Sequence, residues 1–183
     1  MQEFLNWTVE TIRHDNLLGS WLEERKYDWV PLMSQSTINI IDKGRTVLIV
    51  TDKEYEWFMH YILTNINKKK HNRPLLPFYD FNSYHTNLDD IKTENDIELI
   101  KDMLNISFPN GYFFWYIGRS QITRALLPKF SKKPLLWIMD EDLPNSFNLK
   151  TRDESLDMKL LQMYRLFDKT ISAALFAQID VSK

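Results

Sequence analysis

The sequence contains no cysteine, and glycine is scarce, with four in 183 residues. The absence of cysteine excludes disulfide bonds, thiolate metal sites, iron–sulfur clusters and cysteine nucleophiles. The scarcity of glycine disfavours a phosphate or dinucleotide loop, because such loops need successive glycines that let backbone N–H groups approach the anion. We therefore expect neither thiol chemistry nor a glycine-rich phosphate site.

Neither sign of charge dominates, since 23 Lys and Arg stand against 25 Asp and Glu, a formal net charge of −2. A general nucleic-acid binder needs a clustered basic excess that neutralises phosphates, and this balance disfavours it. No uncharged run approaches the roughly 20 apolar residues of a membrane span. The first residues also lack the basic and apolar segments of a signal peptide. We expect a cytoplasmic protein that makes no contact with a membrane.

Hydrophobic residues make up 44% of the chain and aromatic residues 14%, which is ample for a packed core. The length is typical of one domain, because domains usually run to about 100–200 residues. We expect a single α/β domain over residues 1–183. Residues 1–42 would form its N-terminal helical segment, used in packing or in oligomerisation.

Short apolar runs alternate with segments of helical periodicity along the chain. A parallel sheet of four or five strands, flanked by helices, is the architecture that such alternation indicates. Pro77 lies in one of the runs and cannot donate a ladder hydrogen bond, so that strand should be bulged or lie at a sheet edge. The apolar runs predict strands at 46–50, 75–79, 112–117 and 135–139, and the periodic segments predict helices at 2–18, 28–42, 52–67, 94–106, 120–130 and 155–179, with a loop at 82–93.

The residues that follow the strands are mostly acidic. Ligands of parallel α/β sheets bind at the carboxyl ends of the strands, where this chain offers one glycine, Gly118. Such an edge repels a phosphate group. Asp52, Asp80 and Asp140 could hold Mg²⁺, but Asp at a helix start is favoured anyway as a cap, and capping is the preferred interpretation. The acidic residues are Asp52, Glu54, Asp80, Asp140, Glu141 and Asp142.

The remaining polar residues show no pattern of catalysis. The basic clusters at 68–73 and 129–133 precede strands, at the opposite edge, where they suit helix C-termini better than a nucleic-acid surface. The four histidines lack the spacing of metal ligands, and no Ser/His/Asp arrangement stands out. We expect no catalytic residue, no cofactor and no metal.

The end of the last predicted helix carries more apolar surface than one neighbour covers. Residues 171–179 include no charge, and Phe176 projects opposite the core-facing seam of the helix, with Leu175 about a quarter-turn away. An end that is apolar all round must be buried by the N-terminal helices of the same chain or by another polypeptide. Trp57 and Tyr61 raise the same question on the helix at 52–67.

Several segments together resemble the HobA family, bacterial proteins that bind the replication initiator DnaA. The resemblance covers nearly the whole chain, and its motifs are specific in combination. These segments are WLE at 21–23, EWFMHYILTNIN at 56–67, RPLL at 73–76, DFN at 80–82, FWYIG at 114–118 and KLLQMYRLF at 159–167.

The family is related to DiaA and to the sugar-isomerase (SIS) fold, so the resemblance implies a Rossmann-like sheet. It also implies a homotetramer that holds several DnaA N-terminal domains and promotes their ordered assembly at the origin, so that nucleic acid is met only through DnaA. Display of several binding sites raises effective concentration without chemistry. The protein would be an adaptor and not an enzyme.

The resemblance also indicates contact residues. A Leu-Phe pair near the end of the last helix of DiaA matters for DnaA binding, and Leu175 and Phe176 match it here. Asp52, Glu54 and Tyr55 start a helix that could line a groove between subunits, although Tyr55 also begins a core stripe. The alternative is a phosphosugar-binding SIS protein or isomerase. Sugar-phosphate-binding SIS proteins carry a glycine-rich loop and a Ser/Thr-rich loop. Residues 51–55 and 118–121 of this chain lack them, which disfavours that alternative.

Overall fold

The computed structural model describes residues 1–84, 88–91, 93–129 and 131–182. Within these ranges the chain forms a parallel sheet of five strands with helices on both faces. This architecture confirms the α/β class predicted from the alternation of apolar runs and helical segments. The predicted loop at 82–93 and helix at 120–130 include residues 85–87, 92 and 130, which lie outside the described residues.

The strands lie in the order β2-β1-β3-β4-β5, and every neighbouring pair is parallel. The strand order reverses between β1 and β3, and in doubly wound sheets this switch point is where ligands bind. The edge position predicted for the Pro77 strand is confirmed, because β2 is an outer strand. The strands are β1 (Thr46–Thr51), β2 (Phe78–Asp80), β3 (Tyr112–Gly118), β4 (Leu135–Met139) and β5 (Phe147–Leu149).

Eight α-helices are described, joined in places by short 3₁₀ turns at Lys53–Tyr55, Lys69–His71, Leu88–Asp90 and Thr123–Ala125. None of the helices in the described ranges is long and apolar enough to cross a membrane. The helices are α1 (Gln2–His14), α2 (Trp21–Glu24), α3 (Lys26–Ile41), α4 (Glu56–Ile66), α5 (Phe81–Tyr84), α6 (Glu94–Ser107), α7 (Leu126–Lys129) and α8 (Leu156–Leu175).

Successive side chains of the inner strands point to opposite faces and form two separate cores. Val47 and Ile49 of β1 join the larger core, which the N-terminal helices, α4 and α8 cover. Leu48 and Val50 join the smaller core, which α5, α6 and α7 cover. Phe4 and Trp29 are fully buried in the larger core, so residues 1–42 contribute to the packing of the sheet.

The second predicted strand is shorter than expected and begins later. The side chain of Asn67 pairs with the backbone of Leu76, accepting from its N–H at 2.8 Å and donating to its carbonyl oxygen at 2.9 Å. Pro77 has no N–H to donate. Leu76 is therefore bonded to a side chain, and Pro77 reaches β1 only through its carbonyl oxygen, which accepts from the N–H of Val47 at 2.8 Å.

Two further boundaries differ from the prediction. The first helix ends at His14, because Asp15 is extended and its carboxylate accepts from the N–H of Leu17 at 3.0 Å. The predicted helix at 120–130 is reduced to a 3₁₀ turn and α7. Residues 119 and 120 are instead held by carboxylates at the edge of the sheet, described below.

Candidate functional site

The last helix ends in a Schellman turn that presents Phe176. The N–H of Gln178 donates to the carbonyl of Ala173 at 2.8 Å, and the N–H of Ala177 donates to that of Ala174 at 3.1 Å. Ala177 takes a left-handed conformation with φ of 54°. This turn stops α8 at Leu175, so the predicted helix over 155–179 is too long at its end.

The chain's own fold buries part of the uncharged segment 171–179 and leaves one aromatic ring outside. Ile171, Ala173 and Ile179 are buried, whereas Leu175 is half-buried against the larger core. Phe176 is 53% exposed. The fold of the chain therefore covers Ile171, Ala173 and Ile179, and it leaves residues 176–178 exposed, Phe176 among them.

The tail after the turn packs back on α3. The hydroxyl of Ser34 donates to the carbonyl of Val181 at 2.6 Å, and the Val181 side chain is buried. The turn that carries Phe176 is thus fixed on both sides, by α8 before it and by the docked tail after it. A rigid aromatic side chain loses little entropy on binding, which favours a contact role.

A buried arginine fixes the last turns of α8. Arg73 donates to the Asp168 carboxylate at 2.5 Å and to the Ser172 hydroxyl at 2.5 Å. Arg73 also donates from Nη2 to the backbone carbonyl of Ile66, at the end of α4. We call Arg73, Asp168 and Ser172 the Arg73 cluster. Arg73 belongs to the basic cluster at 68–73 and bonds to a helix C-terminus, but it is not a solvated cap, because its side chain is almost fully buried.

The opposite end of the sheet holds a buried carboxylate at the switch point. Asp52, directly after β1, is 5% exposed and accepts from the Tyr116 hydroxyl at 2.6 Å and from the N–H of Arg119 at 2.8 Å. Burial raises the pKa of the Asp52 carboxyl, and these two donors oppose that effect. We call Asp52, Tyr116 and Arg119 the carboxyl-edge network.

The carboxyl-edge network closes the crevice in which a ligand of such a sheet would bind. The N–H of Arg119, at the end of β3, is the kind of donor that an incoming anion would use, and Asp52 already occupies it. A Cβ at Gly118 would fall on the Asp52 carboxylate. Glycine at 118 therefore serves the close approach of an internal anion.

The other acidic residues have separate internal partners. The hydroxyl of Ser120 donates to Glu141, Asp80 accepts from the N–H of Ser83 at 3.2 Å, and Asp140 accepts from the N–H of Thr151 at 2.8 Å. Asp80 thus caps a helix start, as the capping interpretation holds. The capping interpretation is wrong for Asp52, whose side chain bonds across to β3, and for Asp140, whose carboxylate bonds to Thr151 and starts no helix. Among the described residues, no group of acids and histidines is arranged to hold a metal ion.

The three residues proposed from the start of α4 differ in exposure. Glu54 is exposed and pairs with Arg119 across 3.5 Å. Tyr55 is 4% exposed, and burial, followed by the charge of Glu54, raises its pKa to about 12. Only Glu54 of these three presents its side chain to solvent, since Asp52 and Tyr55 are enclosed.

The candidate contact residues lie at opposite ends of one chain. The α8 helix starts beyond the carboxyl end of β5 and runs back over about 30 Å to the amino end of the sheet. Arg73, which precedes β2, bonds to Ser172 there. The structure therefore places Leu175 and Phe176 together, and Asp52, Glu54 and Tyr55 together, but does not join the two groups.

Comparison with known proteins assigns the family. A family model described as "HobA: DNA replication regulator" matches residues 1–181. The chain belongs to the HobA family. The DNA replication regulator protein HobA of Helicobacter pylori is 30% identical over 187 residues, which cover 99% of this chain and 100% of that protein.

Two crystal structures of HobA from Helicobacter pylori are similar to this HobA-family chain. One is a complex of HobA with DnaA domains I–II, and its HobA chain has a TM-score of 0.74 and 28% identity, covering 98% of this chain and 95% of that one. The other is HobA, with a TM-score of 0.72 and 27% identity, covering 98% and 96%. The predicted family and fold are confirmed, and the family is one of DNA replication regulators.

Sequence reasoning missed two features of this HobA-family chain. The pairing of Arg73 with Asp168 joins residues 95 positions apart, and the pairing of Asp52 with Tyr116 joins residues 64 positions apart. Neither separation is a local pattern. The sequence did contain a signal for the second pair. Asp52 follows β1 and Gly118 ends the neighbouring parallel strand that carries Tyr116, so these residues had to meet at one edge of the sheet.

Proposed function

We propose that this HobA-family chain is a non-enzymatic adaptor that binds the N-terminal domain of DnaA and promotes ordered initiator assembly at the chromosomal origin. One observation carries the proposal. The fold matches, over 98% of the chain and with a TM-score of 0.74, a HobA chain crystallised with DnaA domains I–II. Contact with nucleic acid is then indirect, through DnaA, and the place of action is the cytoplasm.

The end of α8 is the proposed primary contact. Phe176 is the exposed aromatic of a turn fixed by the Arg73 cluster and by the docked tail. Aromatic residues are enriched among the side chains that dominate protein interfaces. Leu175 is half-buried beside it and supports the ring from the larger core.

The start of α4 is the proposed second contact. Glu54 offers an exposed carboxylate to a basic side chain of the partner, once its pairing with Arg119 is exchanged. Asp52 and Tyr55 are enclosed, so their role is to position the turn that carries Glu54. The carboxyl-edge network fixes that turn to β3.

In the proposed homo-oligomer, a tetramer, neighbouring subunits bring the two contacts together. The two contacts lie at opposite ends of one chain. One DnaA N-terminal domain can therefore reach both only where the α8 end of one subunit lies beside the α4 start of another. The half-exposed rings of Trp57 and Tyr61 and the N-terminal segment 1–42 are the proposed packing surfaces. A tetramer displays several DnaA sites and raises their effective concentration.

The closed switch point supports a binding role over catalysis. A phosphosugar-binding protein or isomerase needs an accessible anion site at the carboxyl ends of the strands. Asp52 occupies the Arg119 N–H and would repel a phosphate group placed there.

The direct test is calorimetric titration of DnaA domains I–II from the same genome into the full chain, with the assembly state measured by light scattering. We expect saturable binding of one DnaA domain per subunit of a tetramer. A thermal-shift measurement with sugar phosphates runs in parallel, because a ligand at 100 times its Kd stabilises a protein by about 2.7 kcal/mol. Absence of DnaA binding together with a phosphosugar shift would replace the adaptor by the SIS-type alternative.

A further inference from the structure

Helix α6 carries two apolar faces, of which the fold uses one. Ile97, Ile100 and Leu104 are buried in the smaller core. Leu99, Met103 and Ile106 are 61%, 55% and 84% exposed. Their spacings of four and three residues align them along the outer side of the helix. We call these three residues the α6 stripe.

A row of carboxylates runs beside the α6 stripe. Glu94, Glu98 and Asp102 follow one another at spacings of four and are all exposed. Lys101 is the one basic residue of α6, and it pairs with Glu98 at 3.0 Å. We call the three acids the acidic row. The stripe is therefore an apolar surface with a negative border.

Two aromatic rings pack together beyond the end of α6. Phe108, which caps the helix, contacts the ring of Tyr79 on the outer strand β2, with 6.1 Å between ring centroids. The stripe itself extends over about 10 Å, or two helical turns. This length suits the contact of one amphipathic helix with another.

The border charge selects among possible occupants. Two copies of α6 packed around a two-fold axis, with antiparallel helices, would place one acidic row against the other, which is destabilising. An anionic membrane surface would repel the row as well. A helix with Lys or Arg beside its apolar face would gain from both features of the surface.

We propose that the α6 stripe and the acidic row dock an amphipathic helix of a partner protein that carries basic residues beside its apolar face. This surface lies on the smaller-core face of the sheet, and α8 lies on the larger-core face. It is thus separate from the Leu175–Phe176 contact and does not depend on the proposed binding of DnaA.

The test uses the full chain and a fluorescent helical peptide of about 18 residues with leucines on one face and lysines and arginines beside them. A matched peptide has glutamates in place of the basic residues, and another has the basic composition in scrambled order. We expect the basic amphipathic peptide to bind at least about tenfold more tightly than either control, and less tightly as salt rises.

Variants locate the binding. Met103→Ser with Ile106→Ser should weaken the basic peptide about tenfold, and Glu98→Lys with Asp102→Lys should reverse the preference toward the acidic peptide. Leu17→Ser with Leu75→Ser removes exposed leucines elsewhere and should change nothing. All these residues are exposed, so circular dichroism should show an unchanged fold. The proposal is overturned if the basic peptide does not bind, or if the scrambled peptide binds equally well. It is also overturned if the Leu17/Leu75 variant loses as much affinity as the Met103/Ile106 variant.

Discussion

The two ends of the sheet use opposite buried charges for opposite outcomes. At the carboxyl end, the Asp52 anion occupies backbone and hydroxyl donors and closes the crevice between β1 and β3. At the amino end, the Arg73 cation occupies acceptors of α8 and α4 and fixes a turn from which Phe176 projects. Most α/β folds bind ligands at the carboxyl end of the sheet, where the Asp52 carboxylate here occupies the donors. The amino end, which seldom binds ligands in such folds, here presents the exposed ring of Phe176.

This difference shows that a doubly wound sheet can keep its topology while side chains of the chain itself occupy the donors at its switch point. Side chains, and not the strand order, decide whether the switch point is open. Here one carboxylate and one glycine close it, and a capping turn at the far end of α8 supplies exposed aromatic surface.

Replacing Arg73 should give the largest loss. Arg73→Met leaves the Asp168 carboxylate without its buried partner, and removing one member of a buried pair costs about 3–5 kcal/mol. Urea unfolding measures the change. Lys69→Met, in the same basic cluster but exposed, should change the free energy of unfolding by less than about 0.5 kcal/mol. Equal effects of the two variants would mean that the Arg73 cluster does not hold α8.

Adding one methyl group at the opposite end should give the next largest loss. Gly118→Ala places a Cβ on the Asp52 carboxylate, which cannot move without losing its donors, so we expect about 2–3 kcal/mol of destabilisation. Gly44→Ala is the control, because Gly44 has positive φ but an open surrounding, and strain alone should cost about 1 kcal/mol. A loss at Gly118 no greater than at Gly44 would show that the two groups do not approach closely.

Relieving the strained turn should stabilise the chain. Ala177→Gly removes the left-handed strain of a residue with a Cβ, and we expect a gain of about 0.5–1 kcal/mol in the free energy of unfolding. Thermal unfolding measures it as a rise in Tm. Ala174→Gly, inside α8, is the matched control and should destabilise by about 1 kcal/mol. A loss of stability in Ala177→Gly would contradict the Schellman geometry.

The smallest effect is a difference in pH dependence. Because burial raises the pKa of Asp52 in the folded chain, its contribution is fully present below the unfolded value of about 3.9 and is lost as pH rises through the folded pKa. Asp52→Asn does not titrate. The wild type should therefore lose stability relative to this variant as pH rises from about 4 to 7.

Asp153 gives the control with the opposite sign. A hydrogen bond from Lys159 lowers its pKa to about 2, so its contribution is present above the unfolded value and is lost as pH falls through that range. Relative to Asp153→Asn, the wild type should lose stability on acidification. Urea unfolding at several pH values measures both slopes. A slope of the same sign for the two residues would contradict the burial of Asp52.

Local sequence patterns were sufficient for the three inner strands of the sheet. The apolar runs of β1, β3 and β4 are long and uninterrupted, so periodicity and strand length identified them. The strand β5 has only three residues, and no sequence signal separated it from the turns around it. The start of β2 was misplaced because Asn67 bonds to Leu76, which is an interaction of a side chain with a distant backbone.

The sites were less predictable for the same reason. The end of α8 depends on the left-handed turn at Ala177, where the sequence has neither glycine nor proline to mark it. Helical geometry nevertheless selected Phe176 as a ring that points away from the core, and it is exposed. The spacing of the core stripe predicted the burial of Tyr55, whereas the enclosure of Asp52 follows from contacts with β3, which residue type and spacing do not encode.

The most direct test of the central claim is the affinity of DnaA domains I–II for the Phe176→Ser variant, measured beside Ile106→Ser, which removes an exposed apolar side chain from α6 on the other face of the sheet. We predict that Phe176→Ser weakens binding about thirtyfold, roughly 2 kcal/mol, with an unchanged Tm, and that Ile106→Ser binds like the wild type. Wild-type affinity in a folded, correctly assembled Phe176→Ser variant would contradict this prediction.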